Sequence, residues 1–107
     1  MPTTKPREKS RTKTRRIPPH NVILENDDYH SMDFVVEVLI KVLGCTRQRA
    51  LVLMLEAHTS GRAIIWTGSK EGAELKVEQI RTFHEVRAQD GAKLGPLGCS
   101  IEPAPGA

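Results

Sequence analysis

The apolar positions change period along the chain, and the changes predict its elements. Val22-Ile23-Leu24 is a short continuous apolar run after Pro18-Pro19, which predicts a mostly buried first strand over 20–25. Asn26-Asp27-Asp28 then breaks the run, since Asn and Asp side chains bond nearby backbone and favour turns. From Ser31 the spacing becomes helical. Phe34, Val35, Val38, Leu39 and Val42 share a stripe, Ser31 suits the N-cap, Asp33 suits the first turn, and Gly44 suits the stop. Thr46 caps a second helix carrying Ala50, Leu51, Leu53, Met54, Leu55, Ala57 and His58, which ends at Ser60-Gly61. The short Gly44-Cys45 link predicts that the two helices form a hairpin.

Arg62 to Thr67 is rich in strand formers and predicts a second strand, with Gly68-Ser69 as a turn. A third helix is expected from near Ser69 through Leu75, Val77, Ile80, Phe83 and His84 towards Val86. Gln89 to Pro96 reads as loop, and Leu97 to Glu102 as a last short strand. The order strand-helix-helix-strand-helix-strand predicts an α+β domain: a small three-stranded antiparallel sheet with three helices on one face. The expected organisation is a flexible basic extension over 1–19, a core domain over 20–103 and a frayed C-terminus over 104–107.

Composition changes this picture little. Hydrophobic residues make up 38% and charged residues 27% of the 107, which suits one soluble globular domain. The net charge of +3 is unevenly placed. Met1 to Arg16 carries Lys5, Arg7, Lys9, Arg11, Lys13, Arg15 and Arg16 against Glu8 alone, and the rest of the chain is mildly acidic. That tail, with almost nothing to bury, is expected to be disordered. It solubilises the domain, contacts nucleic acid, or serves as an unfolded handle. With one Trp and one Tyr, the folded part offers no broad aromatic platform for bases. Cys45 and Cys99 lie far apart in no metal-binding pattern and read as two inert buried thiols in a reducing cytosol. No apolar run is long enough to span a bilayer, and the N-terminus lacks the apolar stretch of a secretory signal.

The chemistry-bearing residues converge on the first turn. If the helices pair, the end of the second returns towards the start of the first. His58 then approaches Asn26, Asp27 and Asp28, while Met32, Val35, Met54 and Ala57 wall one cavity. An amide oxygen, a carboxylate and a neutral imidazole together suit a primary ammonium. Asp27, Asp28 and His58 as metal ligands would be too few and too poorly spaced for a closed site. A hydrolytic role for His58 lacks a recognisable nucleophile. The plainer alternative is that Asn-Asp-Asp caps a turn and His58 ends a helix. His20, His30 and His84 show no metal spacing and read as surface or packing residues.

Four blocks carry a more specific signal: Val22-Ile23-Leu24-x-Asn26-Asp27-Asp28-Tyr29-x-x-Met32-x-Phe34-Val35, Ala50-x-x-x-Met54-Leu55-x-x-His58-x-x-Gly61, Ala73-Glu74-x-Lys76-Val77 and Pro96-Leu97-x-Cys99. In this order they resemble the ClpS family, adaptors that deliver N-degron substrates to a Clp AAA+ unfoldase and its protease. The resemblance runs from about His20 to Glu102. It implies a cytoplasmic, non-enzymatic protein without cofactor or metal. Its partners would be a ClpA- or ClpC-type unfoldase with the ClpP protease, and proteins beginning with Leu, Phe, Tyr or Trp. Neither membrane nor nucleic acid would be a partner.

The resemblance also implies residue roles. Asn26, Asp27 and His58 would bind the α-amino group, and Asp28 would hold the first peptide unit. Met32, Val35, Met54, Ala57 and Leu97 would line the side-chain pocket, with Met32 as a gate against β-branched Val and Ile. Glu71 and Lys76 would dock on the unfoldase, which would engage the basic extension. Three features depart from the family pattern. His30-Ser31 replaces a frequent Thr-Pro, Ala57 replaces a common Val, and Arg87 to Gly95 is longer.

Overall fold

The structure, a computed structural model, describes residues 17–105. The expected tail over 1–19 lies mostly outside the described residues, as do the last two of the expected frayed end. The elements run β1 (His20–Glu25), α1 (Met32–Leu43), α2 (Arg47–Ser60), β2 (Arg62–Gly68), α3 (Lys70–Arg81) and β3 (Cys99–Pro103). This is the expected α+β order. The sheet is antiparallel with β1 in the centre, flanked by β2 and β3.

Each helix is bounded by the residues that predict its limits. Ser31, Thr46 and Ser69 sit at the N-caps in extended conformation, and their side-chain oxygens accept from the N–H three residues on. Gly44 (φ 68°) and Gly61 (φ 91°) end α1 and α2 in the left-handed conformation that side chains with a Cβ resist. The buried faces follow helical spacing: Val38, Leu39 and Val42 on α1, Ala50, Leu53, Met54 and Ala57 on α2, and Ala73, Val77 and Ile80 on α3. They close over Val22 and Leu24 of β1 and Ala63 and Ile65 of β2 in one core. Leu51 and Leu55, although apolar, face outward from α2.

Ile23 points away from that core yet is fully buried. The register pairs Arg62 with Glu25 and Glu102 with Asn21, so the Arg62–Glu102 ion pair (2.6 Å) spans the central strand over Ile23. On the same face the buried Asn21 amide oxygen accepts from the Thr67 hydroxyl at 2.6 Å.

Two expected boundaries are corrected. α3 stops at Arg81 and does not continue through Phe83, His84 and Val86. The Thr82 and Phe83 N–H groups donate to Gln79 and Ile80, tightening the last turn. Thr82 Oγ1 also donates to the Gln79 carbonyl (2.7 Å), and the chain leaves the helix axis. Beyond it, the expected loop is a small hairpin. Val86 bridges Lys93, Leu94 donates to Glu85, and Arg87 and Asp90 pair at a tip where Gly91 has φ 70°. The last strand runs from Cys99 to Pro103, not from Leu97 to Glu102. Leu97 leaves the ladder because its side chain turns inward and is buried. Pro103 is tolerated because β3 is an edge strand, where no neighbour needs its missing N–H. Cys45 is only half-buried, so of the two thiols Cys99 alone is fully enclosed.

Candidate functional site

A cavity of about 200 Å³ opens where β1 ends and the helical hairpin begins. Backbone bonds set its frame. Asn26 N–H donates to the Gly61 carbonyl (3.0 Å), locking the Asn-Asp-Asp turn to the end of α2. His58, one helical turn before Gly61, is thereby brought beside Asn26. Glu25 N–H donates to the Gly98 carbonyl (2.9 Å), which carries Leu97 to the opposite wall.

The lining comprises Asn26, Asp27, Asp28, His58, Met32, Val35, Met54, Ala57 and Leu97, together with Leu24, Glu25 and His30. All the residues expected for an amino group, a peptide unit and a hydrophobic side chain thus share one hollow. Their burial divides it. Met54, Ala57 and Leu97 are buried and form an apolar interior, whereas Asn26, Asp28 and His58 are exposed around the rim. Met32 bridges the two, lining the cavity while remaining 48% exposed at its mouth. An engineered apolar cavity of ~150 Å³ accepts benzene, so this volume has room for an isobutyl or benzyl group.

Asp27 is the most constrained polar group. Its Oδ1 accepts from the N–H groups of Tyr29 and His30, both at 2.9 Å. Its Oδ2 lies 2.9 Å from His30 Nδ1. Burial pushes the carboxyl upward, but bonds from the His30 backbone, the His30 ring and the Tyr29 backbone together outweigh it. The net result is below the ordinary value of 3.8. Asp27 is therefore held as a carboxylate. Both ordinary acceptor positions on Oδ1 are filled, while Oδ2 retains capacity for one more donor. Among the described residues, no hydrogen bond engages the Asn26 side chain or the His58 ring, and both can accept from a ligand.

Glu71 and Lys76 do not join this site. Glu71 lies in the first turn of α3, beside an apolar hollow formed with Ile17, Pro18 and Pro19. Lys76 donates to the Val42 carbonyl at 3.2 Å, at the exposed end of the α1 ladder, and its ammonium stands 5.8 Å over the Trp66 ring. Glu25 and His30 also line the cavity; the sequence gives Glu25 no role and marks His30 only as a surface or packing residue and as a departure from the family pattern. The signal for His30 was present in its place, three residues after Asp27, at the spacing that lets an Asx turn meet its own cap. Among the described residues no group of three or more His, Cys, Asp or Glu side chains is placed to hold a metal, and no helix is long and apolar enough to cross a membrane.

Residues 15–100 match the family model described as ATP-dependent Clp protease adaptor protein ClpS. The ATP-dependent Clp protease adapter protein ClpS of Vibrio atlanticus is 39% identical over 95 residues, covering 89% of this chain and 84% of that protein. The protein of the same name from Xanthomonas campestris pv. campestris is 38% identical over 97 residues, covering 91% and 86%. Among solved structures, Agrobacterium tumefaciens ClpS2 bound to L-phenylalaninamide superposes with a TM-score of 0.68 at 28% identity, covering 83% of this chain and all of that one. This chain belongs to the ClpS family of ATP-dependent Clp protease adaptors.

Proposed function

We propose that this adaptor recognises the free α-amino group and the large hydrophobic first side chain of N-degron proteins, and delivers them to a ClpA- or ClpC-type unfoldase with its ClpP protease. The observation that carries the reading is the division of one cavity into an apolar interior and a rim of acceptors. A primary ammonium has three N–H donors. The Asn26 amide oxygen, the remaining capacity of Asp27 Oδ2 and a neutral His58 ring nitrogen offer three acceptors. Charge-assisted bonds of this kind contribute about 1.5–3 kcal/mol each. Asp28, exposed on the same rim, takes the first peptide unit. An internal peptide bond carries no ammonium and cannot satisfy this rim.

The side chain of residue one enters between Met32, Val35, Met54, Ala57 and Leu97. Burying it contributes roughly 1.5–3 kcal/mol. Together with the ammonium bonds, less the cost of immobilising the peptide, this suits a micromolar Kd, about −8 kcal/mol. Met32 at the mouth meets a branch at Cβ before the rest of the side chain enters. Leu, Phe, Tyr and Trp pass, and Val and Ile are refused. The ligand in the Agrobacterium ClpS2 structure, L-phenylalaninamide, has a free α-amino group and a benzyl side chain, which is the chemistry this cavity fits.

The protein performs no catalysis in this account and works in the cytoplasm without a cofactor. Glu71 and Lys76 contact the unfoldase, and residues 1–16 are the segment that the unfoldase engages. The test is fluorescence anisotropy with labelled peptides that differ only at residue one, repeated after deletion of residues 1–16. Micromolar binding of Leu, Phe, Tyr and Trp peptides that survives the deletion, with protease delivery lost, is the expected result. Binding confined to nucleic acid, steep in salt and abolished by the deletion, would replace this reading with one centred on the basic tail.

A further inference from the structure

His30 stands apart from the other histidines. Its side chain is only 5% exposed, although it sits at the edge of an open cavity. Its ring lies against Phe34 with centroids 5.4 Å apart and planes 16° from parallel. Both ring nitrogens are engaged: Nδ1 with Asp27 Oδ2 at 2.9 Å and Nε2 with the Gly95 carbonyl at 2.7 Å. A carbonyl oxygen only accepts, so Nε2 must carry a proton. A carboxylate also only accepts, so Nδ1 must carry one as well. A ring with a single proton would set a nitrogen lone pair against an oxygen lone pair at one of the two contacts.

The strut joins two parts of the cavity whose backbones are otherwise tied only at their far ends, by the β1–β3 ladder and the Glu25 N–H bond to the Gly98 carbonyl. One end holds Asp27, on the rim of acceptors. The other holds Gly95, two residues before Leu97 in the apolar wall. A second fastening runs in parallel: Glu85 accepts from Ser31 N–H (2.9 Å) and from Ser31 Oγ–H (2.6 Å). His84 Nδ1 adds a contact to the Leu94 carbonyl at 2.9 Å. The hairpin before Leu97 is thus tied to the start of α1 at residues 30 and 31. The carboxylate in contact with the ring is Asp27; Glu25, Asp28 and the titratable His58 line the same cavity, and Glu85 on the hairpin binds the adjacent Ser31.

The geometry points to His30 as a doubly protonated strut and a specificity-determining positioning residue. It aims the free position of Asp27 Oδ2 at the bound ammonium and fixes how far the Leu97 wall stands from it. This role rests on the proposed recognition of an amino terminus, but the state of the ring is independent of that reading. Two measurements separate them. The first is NMR of the ring nitrogens in ligand-free protein carrying isotope-labelled histidine, at neutral pH. Protonated signals from both His30 nitrogens are expected, and a lone pair on either would overturn the strut.

The second measurement uses His30→Phe, which keeps the stack on Phe34 and removes both donors, beside His30→Gln as a smaller polar variant. Anisotropy titrations with Phe- and Leu-initial peptides, with the active fraction determined by stoichiometric titration, read the outcome. The expected result is a loss of roughly tenfold or more in affinity and a changed Phe-to-Leu ratio at full active fraction. An unchanged Kd and ratio, or an effect confined to the active fraction, would reduce His30 to a folding role. Failure of the unaltered protein to bind any free amino terminus would remove the positioning role along with the proposed function. The NMR result would still decide the strut.

Discussion

Replacing Ala57 with Leu separates the two halves of the site. Ala57 is 3% exposed, lines the cavity and belongs to the buried face of α2. A leucine there has an existing hollow of about 200 Å³ to enter, so its isobutyl group occupies the space proposed for the side chain of residue one. The overpacking cost of about 1–3 kcal/mol, typical of a filled core, is expected to be small for that reason. A Phe-initial peptide loses the burial of its ring, roughly 1.5–3 kcal/mol, which corresponds to a weakening of about 10- to 150-fold. An Ala-initial peptide has no large side chain to seat and keeps its weak affinity, because the Asn26–Asp27–His58 rim is untouched. Anisotropy titrations of both peptides against both proteins give the four affinities needed. Equal weakening of the two peptides, or a Phe-initial peptide that binds the variant as before, would refute the assignment of this cavity to the first side chain.

Four further outcomes are expected. His58→Ala removes one of the three acceptors offered to the ammonium and should weaken a Phe-initial peptide by roughly tenfold or more in anisotropy titrations; unchanged affinity would exclude that role. The lowered Asp27 carboxyl contributes stability that is present above the ordinary carboxylate range and is lost as pH falls through its folded value; Asp27→Asn should remove this part of the acid dependence in urea titrations and abolish peptide binding. Lys76→Ala should lower stability by about 1 kcal/mol without any unfoldase present, by removing the bond to Val42 and the ammonium over Trp66, and should shift the fluorescence of this single tryptophan. Gly72→Ala places a Cβ 2.6 Å from the Trp66 ring and should cost about 1–3 kcal/mol, a cost that largely disappears when Trp66 is also replaced by Ala.

The reach of the sequence differed from element to element for physical reasons. β1, α1 and α2 were legible because periodicity and caps agree: a Val-Ile-Leu run ended by Asn-Asp-Asp, and helices started by Ser31 and Thr46 and stopped by Gly44 and Gly61. The convergence of His58 on Asn26 followed from the hairpin, because a short link forces the end of α2 back to the start of α1. The end of α3 was not legible, because Phe83 and Val86 continue an apolar pattern beyond Arg81. The chain turns there for tertiary reasons: Phe83 packs under Lys41, and Val86 pairs with Lys93. Leu97 read as a strand residue because a buried apolar position has the same local signature whether it faces a ladder or a cavity. His30 was read only as a surface or packing residue and a departure from the family pattern, because its value lies in contacts with Gly95, 65 positions away. No local pattern encodes these.

The central claim is that the rim of the cavity reads a free α-amino group. It is tested most directly by comparing one Phe-initial peptide with its N-acetylated form in the same binding assay. Acetylation leaves the benzyl group and the rest of the peptide intact and removes only the ammonium. The account predicts micromolar binding of the free peptide and a loss of at least about a hundredfold on acetylation, because several charge-assisted bonds vanish together. Similar affinity for the two peptides would contradict it and would leave the cavity as a hydrophobic slot indifferent to the chain terminus.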